Sequence, residues 1–238
     1  LFKSNYDLVG VVTNQDKKSG RGRFYRPTSI KKYSLDNNIN LIEVDKLDNL
    51  NFQNEIEKIS PDLIVVIAFR LLPANIFRIP LYGTMNLHAS LLPKYRGSAP
   101  IQRAILNGDA ETGVSTFFID EKIDSGKLIL QEKIKINKLD NFKSIHDKLS
   151  ETGSHLVIKS IDHILRNKPL INQGRDSSYA KKIKKDELQI NWNSDANNIF
   201  NKIRAFSPYP GAFSYINGKR IKIFSSKIED QDIKNLSP

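Results

Sequence analysis

The 238-residue sequence contains no cysteine, one methionine and one tryptophan. The missing thiols exclude disulfides, thiolate nucleophiles and cysteine-ligated zinc. Long hydrophobic runs are also missing. The longest, LIVVIAF at 63–69, is far short of the ~20 apolar residues that cross a bilayer, and no signal-peptide pattern opens the chain. Both features lead to the expectation of a cytoplasmic protein with no membrane contact. Negative charge is scarce as well: 37 lysines and arginines face 26 aspartates and glutamates, a formal net charge of +11. Such a field favours polyanionic partners, nucleic acid among them.

What is present is a regular alternation. The β-branched run at 7–13, the strand-like INLIEV, the apolar PDLIVVIAF, GTMNLHA and TGVSTFFID are separated by stretches with helical spacing. Among these are 28–38, 50–60, where Phe52, Ile56 and Ile59 share a face, and the SAPIQRAILNG segment closed by Gly108. A fully apolar strand is covered on both sides, so the pattern predicts an α/β fold, a mostly parallel sheet with helices on both faces. Residues 127–136 read as another strand, and 141–167 as one long helix or two short ones. Further on, ANNIFNKIRAF reads as an amphipathic helix, and FSYINGKRIKIF as a hairpin with Asn217-Gly218 at its tip.

The chemistry concentrates in MNLHASLLPKYRG, 85–97. Residues two apart on a strand face the same way, so Asn86 and His88 project together at the strand's carboxyl end. Open α/β sheets bind their ligands there. A carboxamide N–H stabilises a carbonyl oxygen gaining negative charge, and an imidazole moves protons near neutrality. Asp120, Glu121 and Asp124 follow the next strand and offer a carboxylate to orient the imidazole. The set suits acyl transfer without a nucleophilic side chain. The plainer alternative is a strand-end histidine bonded to backbone. His146, His155 and His163, nine and eight residues apart, lack the spacing of paired metal ligands and suit surface or packing roles; no metal is expected.

The continuous stretch from NLHASLLPKYRGSAPIQ to IDEKIDSG resembles the folate-dependent formyltransferases, most closely those acting on aminoacylated initiator tRNA. Asn-x-His, Ser-Leu-Leu-Pro, an Arg-Gly-x-Ala-Pro turn and Asp-x-Gly occur in order, and the likeness runs from VGVVTNQDKKSGRGR to IRAFSPYPGAF. The resemblance implies a Rossmann-like formyltransferase fold followed by a linker and a small C-terminal β-barrel. It implies transfer of formyl from 10-formyltetrahydrofolate to the α-amino group of methionyl-initiator tRNA. It places the catalytic trio on Asn86, His88 and Asp124, and the folate-side loop on Ser90, Leu91, Leu92 and Pro93. Enzymes that formylate a sugar-nucleotide amine share much of this pattern and are the enzymatic alternative. A non-catalytic RNA-binding α/β module is the other.

The basic segment DKKSGRGRFYRP, 16–27, reads as a long loop in which Gly20 and Gly22 alternate with arginines. Tyr25 stands where a dinucleotide fingerprint needs its third glycine, which argues against a nucleotide cofactor. Alone, the segment reads as a solvated loop. The resemblance makes it a tRNA-contacting insertion, with Lys17, Lys18, Arg21 and Arg23 on acceptor-arm phosphates or bases. The expected organisation is a catalytic domain over 1–175, a linker over 176–197 and the start of a barrel over 198–238. The family opens with a strand that would precede Leu1, so the expectation is a monomeric chain lacking that strand and most of the barrel.

Overall fold

The computed structural model describes residues 1–19 and 24–229. The chain divides into two compact units, Leu1–Asn86 with Phe118–Glu121, and Leu87–Phe117 with Lys122–Pro238.

In the first unit β1 (Val11–Asn14) is followed by β2 (Lys17–Ser19), β3 (Phe24–Arg26) and α1 (Ser29–Asp36). Then come β4 (Leu41–Val44), α2 (Leu50–Ile59), β5 (Ile64–Ile67) and α3 (Ala74–Phe77). β1 and β4 pair in parallel, Val11 opposite Leu41. Thr28 caps α1 by accepting the Lys31 amide, and its hydroxyl meets that of Thr13 at 2.9 Å, which ties the helix start to β1. α2 is capped by Asn49 at its start and by a left-handed Ser60, φ 50°, at its end. It buries Phe52 and Ile56, one helical turn apart, against Ile42, Val44, Val66 and Ile76. Ile59, expected on the same face, is only partly buried at the margin of this cluster.

Three elements complete the strand and helix alternation: β6 (Thr84–His88), α4 (Pro100–Leu106) after the two-residue β7 (Arg96–Gly97), and β8 (Glu111–Phe118). A four-stranded sheet is ordered β5-β6-β8-β9, with β9 at Leu128–Lys135 antiparallel to β8. The α/β class expected from the sequence is observed. The region at 141–167 forms one helix, α5 (Phe142–Leu165), opened by a reciprocal cap between Asn141 and Ser144. Gly153 lies at its middle, where a Cβ would stand 2.7 Å from Leu87 Cδ2, so the residue is small for packing.

One segment differs from expectation. The basic stretch after β1 is not a simple loop: β2 and β3 pair antiparallel, Lys17 opposite Arg26 and Lys18 opposite Tyr25. The strand propensity of Phe24 and Tyr25 accounts for the pairing. Arg21 and Arg23 lie outside the described residues, and Lys17 and Lys18 are described by their backbone only.

The stretch expected to link two domains is folded into the second unit. Its β10 (Tyr179–Ala180) pairs in parallel with β7, and a short 3-10 turn follows at Asp186–Leu188. Leu188 and Ile190 join Ile203 of α6 (Ala196–Ala205) with Phe206, Ala212 and Phe213 in one apolar cluster. Arg103 of α4 donates to Glu187 and to the Lys181 carbonyl. The lysine-rich texture of 181–185 obscures these few apolar anchors. The chain then forms β11 (Ala212–Ile216) and β12 (Lys219–Ile223), whose tip residues Asn217 and Gly218 have φ of 48° and 71°, the type I′ signature expected.

Gly113 in β8 permits a close approach to β9. A Cβ there would press into the Glu132 carbonyl oxygen of β9 and lie 2.5 Å from Leu91 Cδ2. Gly113→Ala is predicted to destabilise the fold by about 2 kcal/mol, as overpacked sites do. The check is a lower urea midpoint at an unchanged denaturant slope.

Candidate active site

β6 ends on His88, which is 8% exposed. Its ring lies edge-on to Phe117 with centroids 6.5 Å apart, so the imidazole is held by packing before any polar contact is counted. Nε2 is 2.8 Å from the Tyr95 carbonyl oxygen. A carbonyl only accepts, so Nε2 carries a proton and donates it. Nδ1 is therefore the nitrogen left to gain or lose a proton. It lies 3.7 Å from Asp124 Oδ2, a charge-pairing distance longer than a hydrogen bond.

Tyr95 has a left-handed backbone, φ 61°. Its amide donates to Ser178 Oγ at 2.9 Å, and its hydroxyl donates to Asp109 Oδ2 at 2.6 Å while accepting from Asn107. Burial, and then the Asp109 bond, push the phenol up to about 12. Tyr95 thus anchors at three points the carbonyl that fixes the His88 ring.

Asp124 also has a left-handed backbone, φ 50°, a region where aspartate is tolerated better than most residues. Its Oδ2 accepts the Gly97 amide at 2.7 Å. The same oxygen therefore faces a backbone donor and the free imidazole nitrogen. Glu121, the neighbouring candidate, is bonded instead to Arg78 at 2.6 Å. Asp124 is paired with His88.

Asn86 stands two residues before His88 on β6 and is partly buried. Among the described residues no hydrogen bond engages its carboxamide. Ser90 and Leu92 are buried, at 0% and 3% exposure. Ser90 Oγ donates to the Lys94 carbonyl at 2.6 Å, and the Ser90 carbonyl accepts from Ser115 Oγ, which in turn receives the Leu92 amide. Leu91 and Pro93 are partly buried. The segment at 90–93 is a rigid strand-to-turn connection whose serine hydroxyl is already engaged. A cavity of about 210 Å³ opens beside Leu91, Tyr95, Asp109 and Thr112, and neither His88 nor Asp124 lines it. The remaining histidines lie apart. His146 and His163 contact Asp147 and the Pro169 carbonyl, and among the described residues no group of acidic and histidine side chains is arranged to hold a metal.

Sequence patterns described as formyl transferase match residues 2–161, and those of the formyl transferase C-terminal domain match 182–237. The chain belongs to the formyl transferase family. A relative from Flavobacterium johnsoniae named methionyl-tRNA formyltransferase is 40% identical over 239 residues, covering 97% of this chain and 76% of its own length. Among solved structures, a 4-N formyltransferase from Francisella tularensis superimposes with a TM-score of 0.70 at 24% identity, over 86% of each chain. HypX from Aquifex aeolicus in complex with tetrahydrofolic acid gives a TM-score of 0.63 at 20% identity, covering 80% of this chain and 34% of that one. At these identities the two structures show the fold alone.

Sequence reasoning missed Tyr95, Gly97 and Gln173, which bond to His88 or to Asp124. Tyr95 and Gly97 lie inside the quoted motif, but nothing local says that they act through a carbonyl and an amide.

The Tyr95 shift has a definite sign. A folded phenol that ionises near 12 rather than 10 favours the protonated form, so its contribution to stability is complete below pH 10 and is lost as pH rises towards 12. In an ultraviolet titration one tyrosine is predicted to ionise about two units late, and Tyr95→Phe removes that component.

Proposed function

We propose that this formyltransferase moves a formyl group from 10-formyltetrahydrofolate to the α-amino group of methionine esterified to initiator tRNA. The observation that carries the reading is the His88–Asp124 pair, with one imidazole nitrogen committed to the Tyr95 carbonyl and the other facing a carboxylate at 3.7 Å. The choice of acceptor is supported by relatives named methionyl-tRNA formyltransferase at 40–42% identity, including those from Flavobacterium johnsoniae and Thermodesulfovibrio yellowstonii. It also fits the chain's surplus of positive charge.

In this reading the neutral amine attacks the formyl carbon, and the carbonyl oxygen takes up negative charge as the tetrahedral intermediate forms. Asn86 donates its carboxamide N–H to that oxygen, and His88, protonated at Nδ1 beside Asp124, supplies positive charge near it. Asp124 orients the ring and balances its charge. The C–N bond to folate then breaks, the departing nitrogen is protonated, and the attacking nitrogen loses its extra proton. Because the Ser90 hydroxyl is engaged internally, folate contact from the 90–93 segment would come through backbone groups and the partly buried Leu91 and Pro93. Lys17, Lys18, Arg21 and Arg23 would meet the acceptor arm of the tRNA. No step in this scheme requires a metal or a membrane, and one chain holds the catalytic trio.

Incubation of the protein with 10-formyltetrahydrofolate and methionyl-initiator tRNA is expected to give formylmethionyl-tRNA. Asn86→Ala is expected to lower kcat by roughly 10²–10³, the usual cost of one oxyanion donor. A protein that formylates a sugar-nucleotide amine and ignores methionyl-tRNA contradicts the choice of acceptor. Binding of tRNA without folate turnover, unaffected by His88→Ala, contradicts the enzymatic reading. Arg21→Ala is expected to weaken tRNA binding and reduce its dependence on salt while folate affinity stays unchanged; a parallel loss of both affinities argues against a specific tRNA contact.

A further inference from the structure

We infer that Gln173 is a positioning residue for the Asp124 carboxylate, a role that rests on the formyl-transfer reading above. Its Nε2 donates to the carbonyls of Asp124 at 3.0 Å and Gly126 at 2.8 Å, the two ends of the Asp-x-Gly turn. Its Oε1 accepts from Arg96 Nε at 3.1 Å and from a terminal Arg96 nitrogen at 2.6 Å. Both amide protons and both lone pairs are used, the full capacity of a carboxamide.

These bonds close a ring. Arg96 is followed by Gly97, whose amide holds Asp124 Oδ2 at 2.7 Å. The Asp124 carbonyl returns to Gln173, and Gln173 returns to Arg96. Gly97 is itself fixed: its φ is 109°, a Cβ would lie 3.0 Å from the Ala180 carbonyl oxygen, and β7 pairs with β10 along this edge. The carboxylate is thereby tied to a rigid strand through its side chain and through its own backbone.

Such a clamp suits this position. A left-handed backbone at a non-glycine residue carries strain and persists only where its surroundings enforce it. A carboxylate serving an imidazole needs placement to about half an ångström. Glutamine fits the place because it presents two donors on one side and an acceptor on the other from a single planar group. Glutamate at this point would keep Arg96 but set a carboxylate against two carbonyls. Lysine would serve the carbonyls and repel Arg96.

The test compares wild type with Gln173→Leu, Gln173→Glu, Asp124→Asn and the double variant Gln173→Leu with Asp124→Asn. Two readouts are taken: formyl transfer to methionyl-tRNA, and hydrogen exchange at the Gly97 amide. Gln173→Leu is expected to lower kcat by about 10- to 100-fold, the range for a displaced catalytic group, with both KM values unchanged. Gln173→Glu, of the same size, is expected to lose kcat likewise. The double variant should be no slower than Asp124→Asn alone, because Gln173 acts through that carboxylate. Gly97 should exchange faster in Gln173→Leu while the amides of α5 stay protected, which separates a released clamp from a failed fold.

Wild-type kcat in Gln173→Leu, or a double variant slower by the product of the two single effects, overturns the role. Unchanged Gly97 exchange in Gln173→Leu overturns it as well, and does so even in a protein that transfers no formyl. That last case would defeat the formyl-transfer reading on its own.

Discussion

The hydrogen bond from His88 Nε2 to the Tyr95 carbonyl determines what the rest of the site can do. A neutral imidazole carries one proton. With that proton committed to the main chain, only Nδ1 can exchange, and Nδ1 is the nitrogen turned towards Asp124. At 3.7 Å the pair is not a closed hydrogen bond. A lone pair facing a carboxylate has no reason to approach more closely. A protonated Nδ1 does, since a charge-assisted bond forms at about 2.8 Å. Gaining a proton and tightening the pair are one event, which in the proposed mechanism serves a step where negative charge appears on a formyl oxygen and then disappears.

The supports of that bond come from distant parts of the chain because the site carries strain. Tyr95 and Asp124 both sit in left-handed backbone, and each is tied on several sides. The Tyr95 hydroxyl reaches Asp109 beyond α4, its amide reaches Ser178, and Asp124 is bonded to Gly97 and Gln173. Ser178, Tyr179 and Ala180 lie in the stretch whose composition reads as a linker, yet they bond to Tyr95, Arg96 and Gly97. A segment that looks like connecting chain is part of what keeps the Tyr95–Gly97 turn in place.

Much of this was legible in the sequence where one residue type meets one local demand. The spacing of Phe52 and Ile56, the Asn217-Gly218 tip and the apolar run of β5 each correspond to one element. Asn86 and His88 could be placed on one strand from spacing alone. Asp124 could not be chosen over Asp120 or Glu121 without the family resemblance, because the choice depends on which carboxylate a turn presents to Nδ1. Gln173 gave no signal at all: its role exists only once residues 49 and 77 positions away are brought beside it. The basic hairpin was misread as loop because charge and glycine content outweighed the aromatic pair that favours a strand. The plain reading of His88, a histidine bonded to backbone, describes half of the ring, and the other half faces Asp124.

The most direct measurement is nitrogen NMR of the His88 ring in the protein without substrate at mildly alkaline pH. Nε2 should carry the proton, and on acidification the new proton should appear at Nδ1 together with a change at the Gly97 amide that shares the Asp124 carboxylate. A neutral ring protonated at Nδ1, with Nε2 as the nitrogen that titrates, would contradict this arrangement of the site.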